Sequence, residues 1–191
     1  MIMNESSNNT VYPDAPASKT LSQFIVERDD LFTYIGMHLL CAGESISTAE
    51  SVTSGFIQFS FSQIKDASQF YRGGMTVYTL EEKVSLLKVD QDEAYYCDCV
   101  SSNIAETMAL NVAKIYKTDW SIAITGYATP VEKSGGKLFA YFSIAYHGKI
   151  LISEKLDLLC GTESVNAQLY YTDSILKCLR LELGKQKLPD H

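Results

Sequence analysis

Four side chains in this 191-residue sequence have types and spacing that could carry out acyl transfer: Ser51, Tyr78, Lys83 and Thr125. A serine hydroxyl is a weak nucleophile until a base takes its proton. A lysine can be that base once its amine is neutral. Its pKa must then fall from about 10.4 toward about 7–8, roughly 4 kcal/mol against the charged form, which burial can supply. The backbone N–H groups after Ser51 open a helix and could hold an oxyanion. One well-placed donor there is worth roughly 3–4 kcal/mol in the transition state.

Each residue also has a plainer role. Ser51 could cap the following helix, and by spacing alone that is the commoner role. Lys83 could be a solvated helix lysine beside Glu81 and Glu82. Tyr78 could be half-buried sheet packing, and Thr125 could fill a strand end. Residue types alone stop at an α/β domain with the makings of a hydrolase.

The elements that must position these residues follow from hydrophobic periodicity. Leu21, Phe24, Ile25, Leu31, Phe32, Ile35 and Leu39 recur at helical spacing, predicting a helix over 20–42 that Gly43 stops. A strand is expected over 44–51, a helix over 53–64 and a loop over 65–74. Residues 75–79, Met-Thr-Val-Tyr-Thr, read as a strand by their β-branched and aromatic content. A short helix over 80–87 carries Lys83, and 88–100 reads as loop. Ser101 or Ser102 can cap a helix running to Lys117, with Ile104, Met108, Val112 and Ile115 on one face. A strand over 120–125 ends at Gly126, and a polar loop over 127–136 leads to a hairpin, 138–146 and 149–158, turned by His147-Gly148. A last helix spans about 163–183, with Val165, Leu169, Leu176, Leu179 and Leu183 facing the core.

Helices between the early strands imply parallel crossovers, and the hairpin adds an antiparallel member. The expected fold is therefore a mixed sheet with helices on both faces. Ligands of such sheets sit beyond the carboxyl ends of the parallel strands. Ser51, Tyr78, Lys83 and Thr125 would all gather there.

Composition narrows the function classes. With 46% hydrophobic residues the chain can build a core, and its formal charge of −7 argues against nonspecific nucleic-acid binding. It does not oppose one small phosphorylated ligand, which needs only a few local donors. No apolar run nears the roughly 20 residues that span a bilayer, and residues 1–10 lack signal-peptide character. The expectation is a cytoplasmic protein without membrane partners. Its five cysteines form no C-x-x-C pair, Cys97-x-Cys99 is too sparse for zinc, and its three histidines are scattered. No metal site is expected. Residues 1–18 are polar with Pro13 and Pro16 and read as a flexible tail; the domain is expected over 19–185, with a short tail over 186–191.

The segment Thr48-Ala49-Glu50-Ser51-Val52-Thr53-Ser54-Gly55 resembles the T-A-E-S-C-T-G-G signature of the CinA C-terminal family. Downstream, Tyr71-Arg72-Gly73-Gly74-Met75-Thr76-Val77-Tyr78 is similar to the family's F-x-G-G-V-x-x-Y, and Thr79-Leu80-Glu81-Glu82-Lys83 to its S-N-E-A-K. Leu86-Leu87-Lys88-Val89 resembles L-L-G-V, Val100-Ser101 the V-S that opens the next helix, and Ala123-Ile124-Thr125-Gly126 the strand end A-V-T-G. The ordered set covers roughly residues 30–183.

The resemblance implies a three-layer α/β/α sandwich with a mixed, mostly parallel sheet. It implies hydrolysis of the carboxamide of nicotinamide mononucleotide to nicotinate mononucleotide and ammonia, by a serine nucleophile and a lysine base. By position these are Ser51 and Lys83, with Tyr78 a third catalytic candidate and Thr53, Ser54, Gly55, Arg72, Thr125 and Gly126 substrate-binding candidates. It implies a small nucleotide substrate, no cofactor, and self-association, for which Tyr95, Tyr96, Tyr170 and Tyr171 are surface candidates.

The sequence departs from the family where substrate is shaped. Leu80 replaces an asparagine, Ser54 a glycine, and the G-I-A-G-P-G-G loop becomes Gly126-Tyr127-Ala128-Thr129-Pro130 with a shorter run to Gly135-Gly136. Glu163 stands where the family's G-D-R triplet has arginine. Two readings of different class follow: an amidohydrolase of this type, and a catalytically silent paralogue that keeps the fold as a nucleotide-binding or assembly module. Retention of Ser51, Lys83 and Tyr78 favours the first; the altered positions favour the second for the mononucleotide itself. A contact between Ser51 Oγ and Lys83 Nζ inside a pocket discriminates them.

Overall fold

The computed structural model describes residues 21–186. The tail expected over 1–18 lies outside the described residues, as does the C-terminal tail beyond Gln186. The elements are α1 (Leu21–Val26), α2 (Asp29–Ala42), β1 (Ile46–Glu50), α3 (Phe56–Ser62), β2 (Tyr71–Thr76), α4 (Leu80–Leu87), α5 (Gln91–Tyr96), α6 (Ser102–Tyr116), β3 (Trp120–Tyr127), β4 (Leu138–Tyr146), β5 (Lys149–Leu158) and α7 (Ser164–Lys185).

The sheet order is β2-β1-β3-β4-β5. β1 pairs parallel with β2 and β3; β4 is antiparallel to β3 and β5. Four of the five strands therefore point one way, in the mixed, mostly parallel sheet expected. Helices cover both faces, giving a three-layer α/β/α sandwich.

The two faces differ in side-chain size. Ile46, Trp120, Ile122, Ile124, Phe142 and Ile144 point toward α2, α3 and α7, in one cluster with Phe32, Ile35, Leu39, Leu176 and Leu179. On the other face small residues lie side by side in register: Ser47 by Ser121 and Ala145, and Ala49 by Ala123 and Ser143. This flat surface admits α6 closely, so Ser121 Oγ donates to the carbonyl of Ala109 in the helix at 2.7 Å. Ala105, Met108, Ala109 and Val112 of α6 are buried.

Several boundaries differ from the sequence expectation. The helix expected over 20–42 is two, broken at residues 27–28, where Arg28 turns aside and its Nε donates to Asp173 Oδ1 at 2.7 Å. The apolar spacing continues across the break, so periodicity reads one helix. β2 begins at Tyr71 and ends at Thr76, earlier than the Val-Tyr pair suggested. Its Gly74 is required by packing: a Cβ there would stand 2.1 Å from Thr48 Oγ1. Helix α5 lies in the expected loop. Only its Ala94 is buried, so it has no apolar stripe to read, although Asp90 caps it by accepting from the Glu93 amide at 2.8 Å. Ile115 and Val165, expected on core faces, are half exposed, and Tyr171, expected on the surface, is buried with its hydroxyl donating to the Tyr127 carbonyl at 3.0 Å. Among the described residues no helix is long and apolar enough to cross a membrane.

Candidate active site

Strands β2 and β1 end side by side at Thr76 and Glu50, opposite Ile124 of β3, which runs on to Tyr127, and a cavity of about 460 Å³ opens at these ends. That volume suits a small-molecule ligand. Ser51, Val52, Lys83, Thr125 and Gly126 line it, with Tyr78 at its mouth.

Ser51 owes its position to Glu50, the last residue of β1, which is fully buried. Glu50 Oε2 accepts from Thr53 Oγ1 at 2.6 Å, from the Gly55 amide at 3.0 Å and from the Ile57 amide at 3.1 Å. Its Oε1 accepts from the Gln58 amide at 2.8 Å. The carboxylate thus satisfies the first amides of α3, which otherwise lack partners, and sits at the positive end of the helix dipole. The chain between must coil tightly, and Ser54 and Gly55 both take the left-handed conformation, at φ 50° and 100°. A glycine fits position 54 more easily; a serine there costs on the order of 1 kcal/mol. Helix α3 starts at Phe56, three residues later than expected, because this turn precedes it.

The turn uses Thr53, Ser54 and Gly55 as scaffold, and none of the three lines the cavity. Besides its place in the coil, Ser54 accepts from Gln168 Nε2 at 3.4 Å, and Gln168 also donates to the Val52 carbonyl at 2.9 Å. The amides of Val52 and Thr53 are not taken by Glu50, and among the described residues no acceptor engages them. They are the donors left next to Ser51.

Lys83 reaches Ser51 from the first turn of α4. Its Nζ donates to Ser51 Oγ at 3.0 Å, to the Val77 carbonyl at 2.8 Å and to the Tyr78 carbonyl at 3.2 Å. The residue is only 2% exposed, far from the solvated helix lysine of the plainer reading. Burial lowers its pKa, partly opposed by nearby Cys99, Asp98 and Glu82. Ser51 is 7% exposed and does not act as a cap: its own amide donates to the Ile124 carbonyl at 3.1 Å, and α3 begins beyond it.

The other expected residues divide. Tyr78 contributes its backbone carbonyl to Lys83, while its side chain is 70% exposed at the mouth rather than half buried in the sheet. Thr125 is buried and lines the cavity, but its Oγ1 donates to the Cys99 carbonyl at 2.7 Å. Gly126 lines the cavity and must be glycine, because a Cβ would lie 2.5 Å from Ala140 Cα. Arg72 is not at the site. It is the extra residue where the β1–β2 register slips, opposite Ile46–Ser47, exposed at the N-terminal end of its strand and roughly 13 Å along the sheet from Ser51.

Sequence reasoning missed a second group. Asp98, just after α5, accepts from Lys133 Nζ at 2.6 Å on Oδ1 and from Tyr127 Oη at 2.9 Å on Oδ2. All three line the cavity, as does Tyr95. Asp98 and Cys99 are both left-handed, at φ 53° and 61°, which directs the carboxylate toward the cavity-side loop. The contact with Asp98 raises the pKa of Lys133; burial and then Asp98 raise that of Tyr127. The one signal in the sequence was the Asp90–Glu93 cap spacing, which marks α5 and so the turn that carries Asp98. Glu163, expected near substrate, precedes α7 and does not line the cavity; its neighbour Ser164 does. Leu80 lines it, as an apolar wall.

The family model described as CinA C-terminal domain matches residues 29–172. A CinA-like protein of Prochlorococcus marinus (strain MIT 9515) is 32% identical over 169 residues, covering 86% of this chain and 39% of that protein. A CinA-like protein of Synechocystis is 37% identical over 110 residues, covering 58% of this chain and 26% of that protein. The chain thus spans between about a quarter and two fifths of the length of these relatives. Among solved structures, the competence damage-inducible protein A of Klebsiella pneumoniae superposes with a TM-score of 0.77 at 21% identity, covering 83% of this chain and 98% of that one. A CinA superfamily protein of Enterobacter cloacae gives 0.74 at 23% identity, covering 96% and 99%.

Proposed function

The chain belongs to the CinA C-terminal domain family, and from that premise we propose that it is an amidohydrolase in which Ser51 is the nucleophile and Lys83 its base. The single observation that supports this most is the buried 3.0 Å contact between Lys83 Nζ and Ser51 Oγ inside a cavity.

The three partners of Lys83 suit a base that cycles between two protonation states. As an ammonium it donates to Ser51, Val77 and Tyr78. As a neutral amine it keeps two N–H bonds for the two carbonyls and turns its lone pair to the Ser51 hydroxyl. The fixed carbonyls therefore orient the base without competing for the serine proton. Burial favours the neutral form.

Ser51 Oγ attacks the carboxamide carbon as its proton passes to Lys83 Nζ. The carbonyl electrons move to oxygen, where the Val52 and Thr53 amides can receive the charge. Collapse of the adduct breaks the C–N bond; the nitrogen takes the proton from Lys83 and leaves as ammonia. Water then attacks the acyl-serine, again giving its proton to Lys83, and Ser51 recovers it as the acid departs. The balance is amide plus water to carboxylic acid plus ammonia.

The proposed substrate is nicotinamide mononucleotide. The family resemblance supports it, as does a cavity of nucleotide-compatible size with an accessible cation, Lys133, on its wall. Incubating purified protein with the mononucleotide, beside Ser51→Ala and Lys83→Ala, tests the reading. Ammonia release abolished by both substitutions is the expected result. No release from folded protein rejects this substrate; release that survives Ser51→Ala rejects the mechanism.

A further inference from the structure

The cavity holds two lysines with different commitments. Lys83 is enclosed and bound to Ser51 and two carbonyls. Lys133 has a side chain 67% exposed and, among the described residues, a single partner, Asp98, whose side chain is 35% exposed. The two lysines share a neighbourhood, since the Cys99 thiol feels the charge of both. No other lysine or arginine among the described residues lines this cavity.

The Asp98–Lys133 pair is weakly held on one side and firmly on the other. Asp98 is fixed by Tyr127 through its second oxygen and by its left-handed backbone. Lys133 stands in a short 3-10 turn, Glu132–Ser134, on the loop between β3 and β4. Ion pairs this exposed contribute little, so a stronger anion can take the lysine from the carboxylate at small cost. A phosphate carries more charge and more acceptor oxygens than a carboxylate. When it takes Lys133, Asp98 keeps the Tyr127 hydroxyl and is not left unpaired.

Building on the amidohydrolase reading, we infer that Lys133 receives the phosphate of a ribose-phosphate carboxamide, and that Asp98 is the internal anion it exchanges for that phosphate. Lys133 would then supply the charge that Glu163 does not. Asp98 sets specificity in the opposite sense to Lys133, since it competes with every anionic substrate and with no neutral one.

Equilibrium binding of ribose 5-phosphate and of ribose, measured by calorimetry on the full chain, separates this inference from the chemistry at Ser51, because neither probe carries an amide. Ribose 5-phosphate is expected to bind more tightly than ribose. Lys133→Gln should weaken it about tenfold, the value of one charge-assisted hydrogen bond, and Asp98→Asn should tighten it about two- to fivefold. Ribose should respond to neither substitution. Thermal melts confirm that both variants fold. Equal binding of the two probes, or ribose 5-phosphate affinity unchanged in Lys133→Gln, overturns the inference, whatever the outcome with Ser51→Ala. Weaker binding in Asp98→Asn overturns the exchange role of Asp98.

Discussion

Glu50 and Thr53, three residues apart, share a 2.6 Å hydrogen bond in the buried turn that carries Ser51 between them. That bond is one of four on the same carboxylate, the others being amides at the head of α3. Ser51 is thus held by a residue that does not line the cavity.

Glu50→Gln replaces an acceptor oxygen with an NH₂ that faces donors. Because the site is buried, unfolding in urea should show a loss of about 2–4 kcal/mol, with ammonia release falling as Ser51 shifts. Stability within 0.5 kcal/mol of wild type, on the order of a neutral surface change, would show that the carboxylate does not hold the turn.

Lys83 predicts a pH dependence of rate. Its lowered pKa means that the neutral base appears below the ordinary lysine range, so kcat/KM for ammonia release should rise with pH through one ionisation. A flat profile would remove Lys83 as the base.

The same shift predicts a pH dependence of stability. Between the lowered folded value and the unfolded value near 10.5, the unfolded chain binds the proton and the folded one does not. Stability contributed by this site therefore rises with pH across that window and is lost as pH falls through the folded pKa. Urea midpoints of Lys83→Met should lack this rise, so the gap between the variant and wild type should change with pH.

His38 is buried, its Nε2 has no partner among the described residues, and burial lowers its pKa below 6.5, with Glu44 acting weakly the other way. The unfolded state protonates first as pH drops below about 6.5, so folding stability falls there. His38→Leu should flatten that part of the acid stability profile; an unchanged slope would exonerate the histidine.

Gly126→Ala forces a Cβ into the backbone of β4, 2.5 Å from Ala140 Cα. Backbone cannot yield as a flexible side chain can. A loss of at least about 2 kcal/mol is expected in thermal or urea unfolding, with activity reduced as β3 moves away from β4.

The order of elements, the direction of the strands and the gathering of Ser51, Lys83 and Thr125 at one sheet edge were legible in the sequence, because hydrophobic period and crossover geometry depend on local pattern and chain connectivity. So was the family, from its ordered motifs. Less legible were features with no apolar period. Helix α5 buries only Ala94, and the α1–α2 break lies inside an unbroken apolar rhythm. Arg72 matched a motif but belongs to a register slip, which only strand pairing reveals.

By itself, then, the sequence determined that a serine and a lysine stand at neighbouring strand ends of an α/β sheet. Whether that lysine is a solvated cation or a base is decided by burial and by which carbonyls surround its nitrogen, and both depend on contacts between segments distant in the chain. Tertiary structure alone encloses Lys83, points it at Ser51 and spends the side chains of Thr53 and Thr125 on scaffold. It alone brings Asp98 to Lys133, 35 residues apart and joined by no motif.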